Sequence, residues 1–339
     1  MEKVTFRRKK RIDRGIKIRT DGLYAISSWK ELLYLAGPRL ALILAILLIP
    51  LITSPFPYWQ RVFTVVILYA LLAISFDFLM NFVGLVCLGG ALFVGIGGYM
   101  SAILNSWAGL PAPLSILIAT VAGAALSTVL LLPVLKLRRV YFAIATFMYP
   151  LLFATLIEAT QILGGTEGIR GIDPLSPGWF ELYLGVGVLL IALFGLRRLV
   201  NQDIGLVFRG IRDNDLSVTA SGINVTYRRA QGLFIAAILG CFVGAYFCHL
   251  YQWAGMSLFA IDYSIMPIAA AVTGGMGTLA GPVLGAYILI PISEWLRRFG
   301  TLRIVFYSLV IILIMMFWSE GLLNWARRKY EQVEYWTEA

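Results

Sequence analysis

Apolar runs of about twenty residues, parted by short polar or basic stretches, recur along the chain from Arg39 to Trp325. A helix needs roughly 20 residues to cross a hydrocarbon slab about 30 Å thick. Inside that slab every backbone N–H and C=O must be satisfied, which an α-helix does within its own segment. The pattern therefore predicts an all-α integral membrane protein, a polytopic bundle of helices. Composition closes the alternative: 60% of the 339 residues are hydrophobic and 14% charged, whereas a water-soluble domain carries about a quarter charged residues.

The net charge of +10 would suggest nucleic acid in a soluble protein, but its distribution points to the membrane. Residues 1–39 hold eleven Lys or Arg against four acids, densest at RRKKR, Arg7 to Arg11. Positive charge next to a first span marks the cytoplasmic side, and lipid headgroups account for the cluster without nucleic acid. The segment is too long and too polar to be a cleaved signal peptide. Residues 20–36 are weakly amphipathic and fit a helix lying on the cytoplasmic face. This divides the chain into a basic segment 1–38, a membrane domain 39–326 and a tail 327–339.

The expected spans are Arg39–Thr53, Val62–Met80, a glycine-dense segment from Gly84 to Leu104, Pro111–Leu135, Tyr141–Leu163, Trp179–Leu196, Ala230–Trp253, Ser264–Trp295 and Ile304–Trp325. Glycine at the density of the third segment lets backbones approach closely, so that segment is expected in the bundle interior. The run Ser264–Trp295 is too long for one straight span and is interrupted by GGMGTLAGP, Gly274 to Pro282. Breaking it into two segments brings the total to about 9–10 and leaves both termini cytoplasmic, with the basic Arg327, Arg328 and Lys329 inside.

Polar residues supply few candidates for chemistry. Cys87, Cys241 and Cys248 lie in apolar runs without metal-ligand spacing and read as small buried hydrophobes. His249, the one histidine, reads as an interfacial residue near a helix end, and Asp77 likewise, so no metal site is expected. Glu158 sits deeper, and an intramembrane carboxylate usually faces a cavity or partner. Thr146, Gly165 and Thr166 can offer hydrogen bonds near an outer mouth, although ordinary helix and turn roles suit them too. Gly277, Gly281 and Gly285 repeat at small-xxx-small spacing after the break at Gly274 and Gly275, which serves tight helix packing or unwound backbone facing a cavity.

The longest polar stretch is Asn201 to Arg228. Asp213 or Asn214 can cap a first turn and Gly222 can take the left-handed position after the last, so Asp215 to Ser221 reads as one short helix. A helix so short needs a surface to rest on.

Four ordered stretches carry a family resemblance. They are NFVGLVCLGGALFVGIGGYM (Asn81–Met100), PVLKLRRVYFAIAT (Pro133–Thr146) with LGGTEGI (Leu163–Ile169), GLVFRGIRDNDLSVTASGIN (Gly205–Asn224) and TGGMGTLAGPVLGA (Thr273–Ala286). Together they resemble the LivM-type permeases, membrane subunits of ATP-binding-cassette importers for branched-chain and other hydrophobic amino acids, over roughly residues 62–325. The chain departs from the family pattern at Cys87, Gly90 and Arg139, and in the SVTASG of the cytoplasmic loop.

The resemblance implies a type II importer-like permease that is not an enzyme. Its partners would be a second, LivH-type permease subunit, two cytoplasmic ATPase subunits and a periplasmic or extracellular substrate-binding protein. ATP and Mg would sit on the ATPases, because this chain has no Gly-x-x-x-x-Gly-Lys-Ser/Thr cradle and holds no cofactor of its own. The loop residues Arg209, Arg212, Asp213, Asn214, Asp215, Gly222 and Asn224 would couple to the ATPase. Asn81, Cys87, Tyr141, Thr146, Glu158, Gly165, Thr166, Gly274, Gly275 and Gly277 are the candidates for the substrate path. Similar permeases carry urea, short amides or other small solutes. An ion-coupled secondary transporter would require more mid-membrane carboxylates than Asp77 and Glu158, and no nucleophile-and-base set supports a membrane enzyme.

Overall fold

The computed structural model describes residues 56–137, 139–175 and 179–300, with scattered positions between 305 and 325. The expected first span, the helix at 20–36, the basic segment 1–38 and the tail 327–339 lie outside the described residues.

Ten helices of six or more residues organise the described part. In chain order they are α1 (Pro57–Phe78), α2 (Gly90–Ser106), α3 (Ala112–Leu131), α4 (Arg139–Thr160), α5 (Trp179–Val200), α6 (Asp203–Asp213), α7 (Asp215–Ala220), α8 (Val225–Tyr251), α9 (Asp262–Gly274) and α10 (Ala280–Trp295). Six stretches are long and apolar enough to cross a membrane, among them Pro57–Val83 and Val225–Tyr251. The chain is a multi-pass membrane protein.

Contacts at the two ends of the bundle set the helix directions. At one end, called the loop end, Phe78 meets Phe208 of α6 edge to face, and Val83 packs on Gly232 near the start of α8. At the far end, the Tyr58 hydroxyl donates to Glu294 at 2.8 Å and Arg61 donates to the Leu250 carbonyl at 3.0 Å. Helix α1 therefore runs antiparallel to both α8 and α10. The break between α9 and α10 is real: Gly275 to Leu279 are non-helical, and the chain reverses there at the loop end. Gly321 stands close against Gly275 at that same end.

Helix α2 has 17 residues, a rise of about 25 Å that falls short of the bilayer core. Residues 84–89, which lead into it, are unwound. Helix α1 loosens into a π-helix, Leu79–Val83, and Gly84 then turns left-handed at φ 81°. At Gly84 a Cβ would lie 2.8 Å from the Arg212 main chain, so both the conformation and the close approach require glycine. The start of α2 is held in the bundle interior by side-chain caps, Ser264 Oγ accepting from the Ala91 N–H at 3.0 Å and Thr146 Oγ1 from the Leu88 N–H at 3.1 Å. Most of α2 is buried, as its glycine density predicts: Gly97 lies on the Cys241 main chain and Gly244 on that of Val94.

At the far end a short antiparallel ladder pairs β1 (Ile169–Arg170) with β2 (Trp253–Ala254). Trp253 Nε1 donates to the Glu167 carbonyl at 2.8 Å. The loop after α4 is thereby pinned to the corner after α8.

Candidate functional site

The polar stretch 201–228 folds as two helices where one was expected. Helix α6 lies outside that expectation, which rests on the caps around Asn214 and Gly222 alone. Its own signals are Asp203 in the first turn, Arg212 in the last, and Gly205, Phe208 and Ile211 recurring every third residue as the buried stripe. Helix α7 is the expected short one. Of its two candidate caps it uses Asn214, whose Oδ1 accepts from the Leu216 and Ser217 N–H groups, and Gly222 is left-handed at φ 81°. Asn224 caps α8 by accepting from the Tyr227 N–H at 3.1 Å. Asp215 pairs with Arg229 at 3.2 Å, tying α7 to α8. The outer face of this unit carries Leu216, 77% exposed, and Leu206, 63% exposed.

From α6 a chain of polar contacts runs into the bundle. Arg209 lies over the Phe82 ring. Arg212 pairs with the neighbouring Asp213 at 2.9 Å and donates through Nη1 to the Asn81 carbonyl at 2.6 Å. The Asn81 side chain in turn donates to Asp77 Oδ1 at 2.7 Å. That carboxylate also receives the Gly277 N–H at 2.7 Å on Oδ1 and the Leu279 N–H at 3.2 Å on Oδ2.

Asp77 is therefore not interfacial, as the sequence suggested. It is fully buried and closes the Gly275–Leu279 break with both oxygens. A run of unwound backbone inside a membrane needs acceptors for its N–H groups, and a buried carboxylate tolerates burial when several donors surround it. The packing behind the break is equally tight. Gly274 lies on the main chains of Gly281 and Gly285, so α9 and α10 touch backbone to backbone.

The structure brings four of the substrate-path candidates, Asn81, Gly274, Gly275 and Gly277, together around Asp77. Cys87 and Thr146 form a second group deeper in the bundle. Both are buried, and Cys87 lines a cavity of about 20 Å³ with Ser75, Gly90 and Ser264, room for a single water. The other candidates join neither group. Tyr141 and Glu158 lie exposed on α4, a helix turned largely outward, so Glu158 faces no cavity formed by this chain's described residues alone. Gly165 and Thr166 sit in the far-end loop, Gly165 packed on Gln161 and Thr166 exposed.

His249 also departs from the interfacial reading. It is buried between α2 and α3, with Nδ1 2.7 Å from the Asp173 carbonyl and Nε2 about 3 Å from both Ser101 and Ser115 hydroxyls. A carbonyl only accepts, so Nδ1 carries the proton and Nε2 accepts from Ser101; Ser115 spends its proton on the Ala112 carbonyl. Asn105 completes the network, exchanging two hydrogen bonds with Asp173. No group of three metal-ligating side chains occurs among the described residues.

A family model described as "Branched-chain amino acid transport system / permease component" matches residues 58–319. The chain belongs to that permease family. The permease is 25% identical over 295 residues to the high-affinity branched-chain amino acid transport system permease proteins LivM of Salmonella typhimurium and Escherichia coli, covering 78% of this chain and 69% of each relative. It is 24% identical over 289 residues to a probable LivM of Methanocaldococcus jannaschii, covering 71% of this chain and 82% of the relative. No solved structure matches it. As a permease component it is a transport subunit and not an enzyme, and both the polar loop and the Asp77 clamp lie within the matched region.

Proposed function

We propose that this permease forms half of the translocation path of an ATP-driven importer for branched-chain or related amino acids, and that separate ATPase subunits move it through α6 and α7. The observation that carries the reading is the unbroken linkage Arg212–Asn81–Asp77–Gly277, which joins the polar loop to the one break between α9 and α10. A tilt of α6 would pull on the π-helical end of α1 and through it on the loop 275–279. The substrate class follows the names of the relatives.

In this scheme the basic N-terminal segment and the loop end face the cytoplasm, the far end faces a soluble substrate-binding protein, and a second, related permease subunit encloses the other half of the path. ATP and Mg stay on the ATPases. Exposed Leu216 and Leu206 supply the apolar part of the ATPase contact, and Arg209, Arg212 and Asp215 its charged rim.

The test is purification in mild detergent followed by reconstitution. Co-purification of a P-loop ATPase and ATP-dependent uptake of leucine supports the proposal. A chain that purifies alone and transports in liposomes without ATP overturns it. Gly222→Val separates coupling from assembly: a β-branched residue at φ 81° costs about 1–3 kcal/mol of strain with no clash, since nothing lies near that position. The expected result is ATP hydrolysis retained and uptake lost.

A further inference from the structure

At the far end, between α1, α5 and α8, a cavity of about 300 Å³ opens toward the side away from the polar loop. Its size suits one small molecule, being at the low end of the range for ligand sites. Its walls have two chemistries. Pro57, Pro174, Leu175 and Leu250 are apolar, while Gln60, Arg61, Thr64, Glu181, His249 and Gln252 are polar. One side chain of each charge, Arg61 and Glu181, faces the same space, and the two form no ion pair with each other among the described residues.

Hydrogen bonds hold the walls at several points. The segment carrying Pro174 and Leu175 is tied to α8 by the His249 bond to the Asp173 carbonyl and to α2 by the Asn105 pair. Glu181 is fixed through its carbonyl, which accepts from the Tyr246 hydroxyl of α8. Arg61, exposed at the rim, lines the cavity and donates one bond to the Leu250 carbonyl. Gln252 ends α8 in the left-handed conformation at φ 54°. Glycine would take that conformation without strain, so a side chain is kept at the cavity at some conformational cost.

We infer that this cavity is a binding site for the zwitterionic head of an α-amino acid, Arg61 receiving the carboxylate, Glu181 the ammonium, and the Pro57, Leu175 and Leu250 wall the apolar side chain. The inference rests on the importer reading above and extends it to the residues that first take the substrate from outside. Two opposite charges in one enclosure cannot both be satisfied by a simple anion or a simple cation, but a molecule carrying both groups a short distance apart satisfies them together. Partial enclosure raises the worth of each contact over its value in water.

The experiment uses the assembled permease–ATPase complex in discs of pure phosphatidylcholine, with tritiated leucine as probe. Competitors are 4-methylpentanoate, which lacks the ammonium, and 3-methylbutylamine, which lacks the carboxylate. Wild type is expected to bind leucine saturably and to prefer it over both analogues. Glu181 is part-buried and Arg61 exposed at the rim, so Arg61→Gln and Glu181→Gln should each raise the half-saturating concentration severalfold, the larger rise at Glu181. Glu181→Gln should also abolish the preference over 4-methylpentanoate, and Arg61→Gln that over 3-methylbutylamine, a reversal that misfolding does not produce. Glu181→Asp should recover most of the affinity.

Absence of saturable leucine binding by wild type overturns the inference, as does equal binding by wild type and both variants. Displacement of leucine by phosphatidylethanolamine in the discs, at the same two residues, overturns it in favour of a lipid headgroup. Failure of the importer reading looks different: the wild-type complex then takes up no leucine with ATP and a loaded binding protein. ATP-driven uptake that is equal in wild type and both variants removes the cavity assignment alone.

Discussion

Replacing Asp77 by alanine strips the acceptors from two backbone N–H groups, those of Gly277 and Leu279, and from the Asn81 amide. The carboxylate is fully buried, so water cannot readily take its place. A buried donor left without a partner costs about 1–3 kcal/mol; two of them cost about 2–6 kcal/mol, concentrated on the segment 275–279. A loss of 1.4 kcal/mol is about tenfold in an equilibrium constant, so local opening of this segment should become about thirtyfold more frequent at the low end of that range. Amide hydrogen exchange on a peptide covering 274–280 reads the change directly, because exchange from the native state follows local opening. Asp77→Asn should give a smaller increase, since one amide oxygen remains to accept. Arg212→Ala should leave the peptide near wild type, because it leaves all three hydrogen bonds to Asp77 in place. Unchanged exchange at 274–280 in Asp77→Ala, in a complex that still assembles, would refute the clamp.

Gly84→Ala meets the Arg212 main chain and a left-handed backbone at once, and should lower the thermal midpoint of the purified complex while weakening transport more than ATPase binding. Asn214→Ala removes the cap of α7 and should cost about 1 kcal/mol, read as roughly fivefold weaker retention of the ATPase on a column. Charge reversal by Arg212→Glu should weaken ATPase association more at low salt than at high salt, since screening shrinks exposed pairs; equal weakening at both would argue against an electrostatic contact. Gly285→Val pushes a side chain into the Ala270 main chain and should abolish accumulation in the membrane, measured by immunoblot against wild type.

What could be read without the fold was whatever depends on local order along the chain. The spans followed from apolar run lengths, because a fixed slab thickness converts length into crossing. The break after Gly274 and the reversal it makes followed from a run too long to cross once and too rich in glycine to stay helical. The α7 cap and stop followed from Asn214 and Gly222, whose roles are set by neighbours two or three residues away. Helix α6 was also legible, in the threefold recurrence of Gly205, Phe208 and Ile211.

The roles of Asp77 and His249 were decided only by tertiary structure. Asp77 and the groups it clamps are 200 residues apart, and His249 reaches Ser101 across 148. A polar residue near a span end carries the same local pattern whether it faces headgroups or a partner from another helix. Glu158 makes the converse case, deep in sequence but exposed on α4. By itself the sequence determined that this chain threads a membrane many times and carries one long polar loop between its spans. Which of its few charges are buried, and what each one holds, depended on how the helices pack, because burying a charge becomes tolerable only where distant backbone supplies its hydrogen bonds.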